Sequence, residues 1–262
     1  MFLTVFVLAS AGGTCWAVFF RTVASPVSLR DALRQYRQDA AGRSAAVPGA
    51  SAQGPLANGV FGYRTTGSES LSILGVARSF PSATNMIVAD APASPGVVSG
   101  QCSSVSWVPI TQHTETTTVC PETVDGAVAF VAPTFVTYEA ISNTVSTTTI
   151  SCGPTSYLVP PHATTGMSWT APCRQSGSTA NVTLGGTDLG PSIVDVAGHG
   201  VPTTHVLLTL SFSGSETGTS PANFWLSDGR VIEESETVEL LQGGVHYHEV
   251  MDTVLTSLTP QR

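Results

Sequence analysis

The sequence predicts a mainly β protein: an N-terminal transmembrane helix and linker, then an antiparallel meander sheet curled into a barrel or half-barrel. Three observations carry this. From Val60 onward, short runs rich in Val, Thr, Ile and aromatic residues alternate with Gly, Pro, Asn and Ser breaks, the texture of strands and turns. No stretch beyond residue 57 sustains a 3.6-residue apolar period. Met1–Phe20 carries no charged side chain, and a helix of about 20 residues rises about 30 Å, the thickness of a bilayer's hydrocarbon core.

Residues 1–22 read as an uncleaved transmembrane signal anchor. A cleaved signal peptide needs a basic leader and a small-residue site after the apolar run. Here nothing basic precedes the run, and Ala9-Ser10-Ala11 lies inside it. A lipoprotein signal fits poorly as well, because apolar residues continue past Cys15. Trp16, Phe19 and Phe20, followed by Arg21, suit a membrane interface. Arg21, Arg30, Arg34 and Arg37 all follow the helix, so the positive-inside rule would place the body in the cytoplasm. The cysteines oppose that placement, and a basic leader upstream of Met1 would reconcile the two.

Residues 23–38 form a juxtamembrane amphipathic helix in this reading. Ser28 is a suitable N-cap, and Leu29, Leu33 and Tyr36 recur at helical spacing. Its Arg face suits anionic headgroups, the alternative being a solvated stalk turn. Residues 39–57 are dominated by Ala, Gly, Pro and Ser and read as a flexible linker. Residues 58–262 are the extracytoplasmic β-domain.

Within that domain, candidate strands fall at 59–66, 69–75, 84–90, 103–110, 114–120, 127–141 and 144–151. A second set covers 180–187, 192–198, 201–213, 222–227, 230–242 and 245–256. Hairpin turns are visible at Gly198-His199-Gly200, Ser227-Asp228-Gly229 and Gly243-Gly244. Along 245–251, Val245, Tyr247, Glu249 and Met251 share one strand face, with His246, His248 and Val250 on the other. Two halves are conceivable, divided by a Pro-rich seam near Pro154–Pro172.

Cys102, Cys120, Cys152 and Cys173 form an even set in the body. Sequential pairing is the simplest of three connectivities. Zinc is disfavoured, since no C-x-x-C and no close Cys/His cluster occurs. Disulfides imply an oxidising, extracytoplasmic compartment.

Composition excludes several activities. The net charge is −8, only 11% of residues are charged, and all ten cations are Arg. Such a chain is a poor nucleic-acid binder, and without Lys it cannot form a Schiff base. No nucleophile elbow, P-loop, G-x-G-x-x-G after a strand or H-E-x-x-H occurs. No catalytic residue and no cofactor is predicted. His246 and His248, two apart on a strand, are weak candidate metal ligands that lack an evident third partner. Glu233, Glu234, Glu236 and Glu239 read as a solvated strand face that discourages aggregation. Thr114, Thr116, Thr117, Thr118 and Thr147–Thr149 read as paving for exposed faces.

Several segments carry a likeness to a known family. They are Gly59-Val60-Phe61-Gly62-Tyr63-Arg64-Thr65-Thr66-Gly67, Cys102 with Trp107, Cys120-Pro121, Cys152 with Trp169 and Cys173, Phe224-Trp225-Leu226, and Leu255–Pro260. Over most of residues 28–262 the chain resembles a family of uncharacterised actinobacterial membrane-anchored extracytoplasmic β-domain proteins. The resemblance implies location and architecture only. It implies no activity, and no site residues are transferred. The expected function is that of a non-catalytic cell-envelope protein, anchored in the lipid bilayer through residues 1–22. A curved sheet would hold a lipid or other apolar ligand. The alternatives are a structural or protein-interaction module with a filled core, partnered by an envelope protein, and an enzyme of unrecognised type.

Overall fold

The computed structural model describes residues 24–46, 56–72, 76–92, 102–141 and 144–262. The expected membrane segment 1–22 lies outside the described residues. Among those described, no helix is long and apolar enough to cross a membrane. One helix, α1 (Leu29–Ala46), precedes fourteen strands: β1 (Gly59–Leu71), β2 (Val76–Ser79), β3 (Ala83–Ala91), β4 (Cys102–Ile110), β5 (His113–Val124), β6 (Ala127–Ile141), β7 (Thr144–Cys152), β8 (Tyr157–Val159), β9 (Ser168–Gln175), β10 (Asn181–Val196), β11 (His199–Ser213), β12 (Glu216–Ser227), β13 (Arg230–Gln242) and β14 (Val245–Leu255).

Twelve of these strands close into an antiparallel barrel, in the order β14-β13-β12-β11-β10-β9-β7-β6-β5-β4-β3-β1, with β1 returning to β14. The closing ladder runs from Tyr63↔Leu255 to Leu71↔Tyr247. Closure pairs the first and last strands of the meander, which removes the aggregation hazard of two exposed terminal edges. β2 folds back on β1, and β8 lies against β6. Tight hairpins drive the meander. Asp125-Gly126, Ala197-Gly198, Asp228-Gly229 and Gly243-Gly244 each place two successive residues at positive φ, the backbone of a type I′ turn, whose twist matches that of the strands it joins.

The Pro-rich stretch does not divide the molecule into halves, because β8 and β9 belong to one continuous sheet. The seam is nevertheless real. β7 meets β9 only at Ile150↔Gln175, Ser151↔Arg174 and Cys152↔Cys173, whereas β10 and β11 pair from Asn181↔Ser213 to Val196↔His199, with one bulge between Asp188 and Gly190. The Cys152–Cys173 disulfide, with Cα atoms 4.0 Å apart, fastens this ladder, the shortest between neighbouring strands of the barrel wall. Cys102–Cys120 bridges β4 and β5, one step beyond Ser103↔Val119, with Cα atoms 4.2 Å apart. Both sequential pairings are therefore present, each between facing residues of neighbouring strands.

The N-terminal helix departs from expectation. Ser28 caps it as predicted, its Oγ accepting from the Asp31 amide at 3.2 Å. The helix then runs on to Ala46, through the first part of the stretch read as linker. Its apolar stripe of Leu29, Ala32, Leu33 and Tyr36 packs on Val60, Ile87 and Val108 of the barrel's outer wall. Arg30, Arg34 and Arg37 stay exposed. The helix is thus a strap across β1, β3 and β4 rather than a free-standing juxtamembrane element. Its apolar spacing was legible, but the partner of that stripe is set by the tertiary fold.

Inside the barrel two apolar clusters form. One gathers Phe61, Tyr63, Met86, Trp107, Ile232 and Met251. The other gathers Val119, Ile150, Leu158, Leu184, Leu208 and Phe212. Gly186 is required where it stands, since a Cβ there would lie 2.2 Å from the Trp169 ring.

Candidate functional site: the barrel lumen

Strand alternation turns every second side chain inward. On the arc from β10 to β12 these are mostly large and apolar: Leu184, Leu208, Leu210, Phe212 and Phe224, joined by Leu240 of β13, face a cavity of about 360 Å³. Val105, Phe135 and Ile150 face them from the other side. This volume falls in the range of small-molecule sites, about 300–1,000 Å³.

Carboxylates are set into the rest of the lumen, Glu234 and Glu236 of β13 included. Glu115, Glu139, Glu234, Glu236 and Glu249 line it. Behind Glu249 stands Glu69, its direct cross-strand neighbour; the two are 0% and 1% exposed. Two cations serve these acids. Arg78, brought in by β2, lies 2.6 Å from Glu69 Oε1 and donates to the Ala140 carbonyl at 3.0 Å; it also pairs with Glu139. His113, fully buried, places Nδ1 3.1 Å from Glu69 Oε2 and Nε2 3.5 Å from Glu115 Oε1. The Tyr247 hydroxyl reaches Glu69 at 3.2 Å and donates to Glu249. β1 and β14 are thereby tied across the lumen to β5 and β6, and one end of the interior is closed by charge.

Burial opposes ionisation throughout this cluster, and neighbours decide each outcome. Burial disfavours a charged His113, but Glu249, Glu115, Glu139 and Glu69 outweigh it and lift the imidazole well above its usual range. Burial would also raise Glu69, yet His113 and Arg78 hold it below the ordinary carboxylate value. Glu139 goes up, burial prevailing over the same two cations. Glu234 and Glu249 are pushed well up by burial and by neighbouring carboxylates. Glu236, accepting from Ser220 Oγ, rises to about 8 through burial and Glu115.

Sequence-level readings fare unevenly here. The face assignment along β14 holds: Glu249 points into the lumen and His246 and His248 point out. There both histidines meet Glu239, each at 2.6 Å, as exposed ion pairs. The acidic run does not form one solvated face. Glu233 and Glu239 look outward, while Glu234 and Glu236 line the cavity, because the run sits on a strand and alternates. Thr117 and Thr148 likewise line the lumen rather than pave the exterior. Glu69, Arg78, His113, Glu115 and Glu139 were not singled out beforehand. The available signal was a charged residue recurring on the apolar side of an alternating strand, as at Glu249 between Tyr247 and Met251.

No family model matches the chain, and no curated protein does. Among solved structures, the hypothetical lipoprotein YmcC from Escherichia coli K12 aligns over 89% of this chain and 100% of its own, with 11% identity and a TM-score of 0.32. At that TM-score the likeness carries no weight for fold or function.

Proposed function

We propose that this chain is a non-catalytic cell-envelope protein, anchored in the membrane by residues 1–22, whose barrel lumen binds a lipid or another apolar ligand. The cavity of about 360 Å³ bounded by Leu184, Leu208, Leu210 and Phe224 carries the reading. A structural module would fill that space with side chains, since protein interiors pack to crystal-like density. Two disulfides support an oxidising location outside the cytoplasm. The buried His113 and its carboxylates do not read as catalytic, because His113 is 0% exposed and engaged with the acids around it.

Native mass spectrometry of the full chain, extracted in a mild detergent, tests the proposal. The expected spectrum shows a protein species carrying a bound lipid mass that organic extraction removes. A spectrum of bare protein alone, under conditions that preserve lipid adducts on a control carrier, contradicts it.

A further inference from the structure

The facing pair Glu69 and Glu249 is electrostatically expensive. Like charges directly opposite on neighbouring strands repel, and buried carboxylates require partners. Arg78 is spent on Glu69 Oε1 and Glu139. Glu249 accepts from Tyr247 through Oε2, but its Oε1, in a side chain 0% exposed, has no hydrogen-bond partner. Neither ring nitrogen of His113 makes a hydrogen bond of acceptable geometry. One ligand atom each from Glu69, His113 and Glu249 lies within 4.8 Å of the other two.

We propose that Glu69, His113 and Glu249 bind a divalent transition-metal ion, with Zn²⁺ the best-suited class, at the charged end of the lumen. The 3.1 Å between His113 Nδ1 and Glu69 Oε2 matches the spacing of two donors on one ion at about 2.0–2.2 Å each. An imidazole with two carboxylates suits Zn²⁺ or a neighbouring first-row ion better than Ca²⁺ or Mg²⁺, which prefer oxygen alone. The unpartnered Glu249 Oε1 supplies a donor already stripped of water. Glu249 also lines the cavity, which gives the ion a route in and water a place in its coordination shell. Only a neutral imidazole and a carboxylate ligate, so the ion displaces the protons held on His113 and Glu249, and it braces β14 and β1 against β5. The site is independent of any apolar ligand in the lumen.

The test uses the full chain in detergent, stripped with a chelator and titrated with Zn²⁺ by calorimetry and thermal unfolding. One equivalent is expected to bind and to raise the melting temperature in a concentration-dependent way. Glu249→Gln, which keeps the shape of the side chain, should weaken binding at least about tenfold. His113→Gln should abolish it, and Glu249→Gln carries the test if that variant does not fold. The double variant His246→Ala/His248→Ala removes the exposed rival trio with Glu239 and should bind as the parent does. A visible Co²⁺ spectrum of a nitrogen–oxygen site, lost in Glu249→Gln, is the matching signature. Absence of stoichiometric binding overturns the proposal. So does equal affinity in Glu249→Gln, or loss of binding in the His246/His248 variant alone.

Discussion

The arc from β10 to β12 and the wall formed by β1, β5, β6 and β14 are built by the same alternation, yet they enclose different interiors. Leu184, Leu208, Leu210 and Phe224 border open space. Glu69, His113, Glu139 and Arg78 draw opposite walls into contact. Apolar attraction is non-directional and leaves no atom requiring a particular partner, so an apolar wall can stand back from its opposite. A buried charge must be paired or neutralised, so a charged wall pulls across the lumen. One barrel thereby combines a cavity that can take a guest with a brace that fixes the walls around it.

The largest effect should come from breaking the brace. His113→Ala leaves buried carboxylates without one of their two cations and should cost about 3–5 kcal/mol, the range for removing one member of a buried ion pair. Chemical denaturation measures it. An equivalent truncation on the apolar side, Leu240→Ala, removes a side chain that already borders empty space and should cost markedly less.

The pH dependence sharpens the same contrast. Glu236 ionises near 8 in the folded protein and near 4.5 when unfolded. Folded and unfolded states are both protonated below that window, and both ionised above it. Between the two values only the unfolded chain has lost its proton, so this group makes stability fall as pH rises from about 4.5 to about 8. The decline is at most about 1.4 kcal/mol per pH unit. Denaturation midpoints at pH 5 and pH 8 should therefore lie closer together in Glu236→Gln than in the parent.

The two disulfides close loops of 18 and 21 residues, for which chain entropy gives about 3 kcal/mol each. Loop length alone thus predicts equal losses. The short β7–β9 ladder predicts a larger loss for Cys152→Ser/Cys173→Ser than for Cys102→Ser/Cys120→Ser. It also predicts faster amide exchange in β7 and β9 for the first variant only. The smallest effect belongs to the outer face. His246→Ala removes an exposed ion pair with Glu239 and should change stability by less than about 1 kcal/mol.

Much of the barrel was legible in the chain. Paired turn residues such as Asp228-Gly229 fix the hairpins locally, and alternation along 245–251 placed Glu249 and His248 on opposite faces. Closure was not legible, because the β1–β14 ladder joins residues far apart in sequence and depends on twist accumulated over the whole sheet. The sequential cysteine pairing was readable from spacing, whereas its position on the shortest ladder of the barrel wall was not. The acidic lumen escaped for a related reason. Glu69, His113 and Glu139 lie on three strands and become neighbours only when the barrel folds. Glu234 and Glu236 were visible, but a run of acids looks solvated until its strand period is applied residue by residue.

The central claim is that the apolar arc encloses a site for a guest. Titration of the full chain with a dansyl-labelled fatty acid, beside a Leu210→Trp variant that fills the cavity, tests it most directly. The account predicts saturable, blue-shifted fluorescence in the parent and its loss in Leu210→Trp, with thermal unfolding of the variant unchanged. Absence of saturable binding in the parent, or undiminished binding in the filled variant, would contradict it.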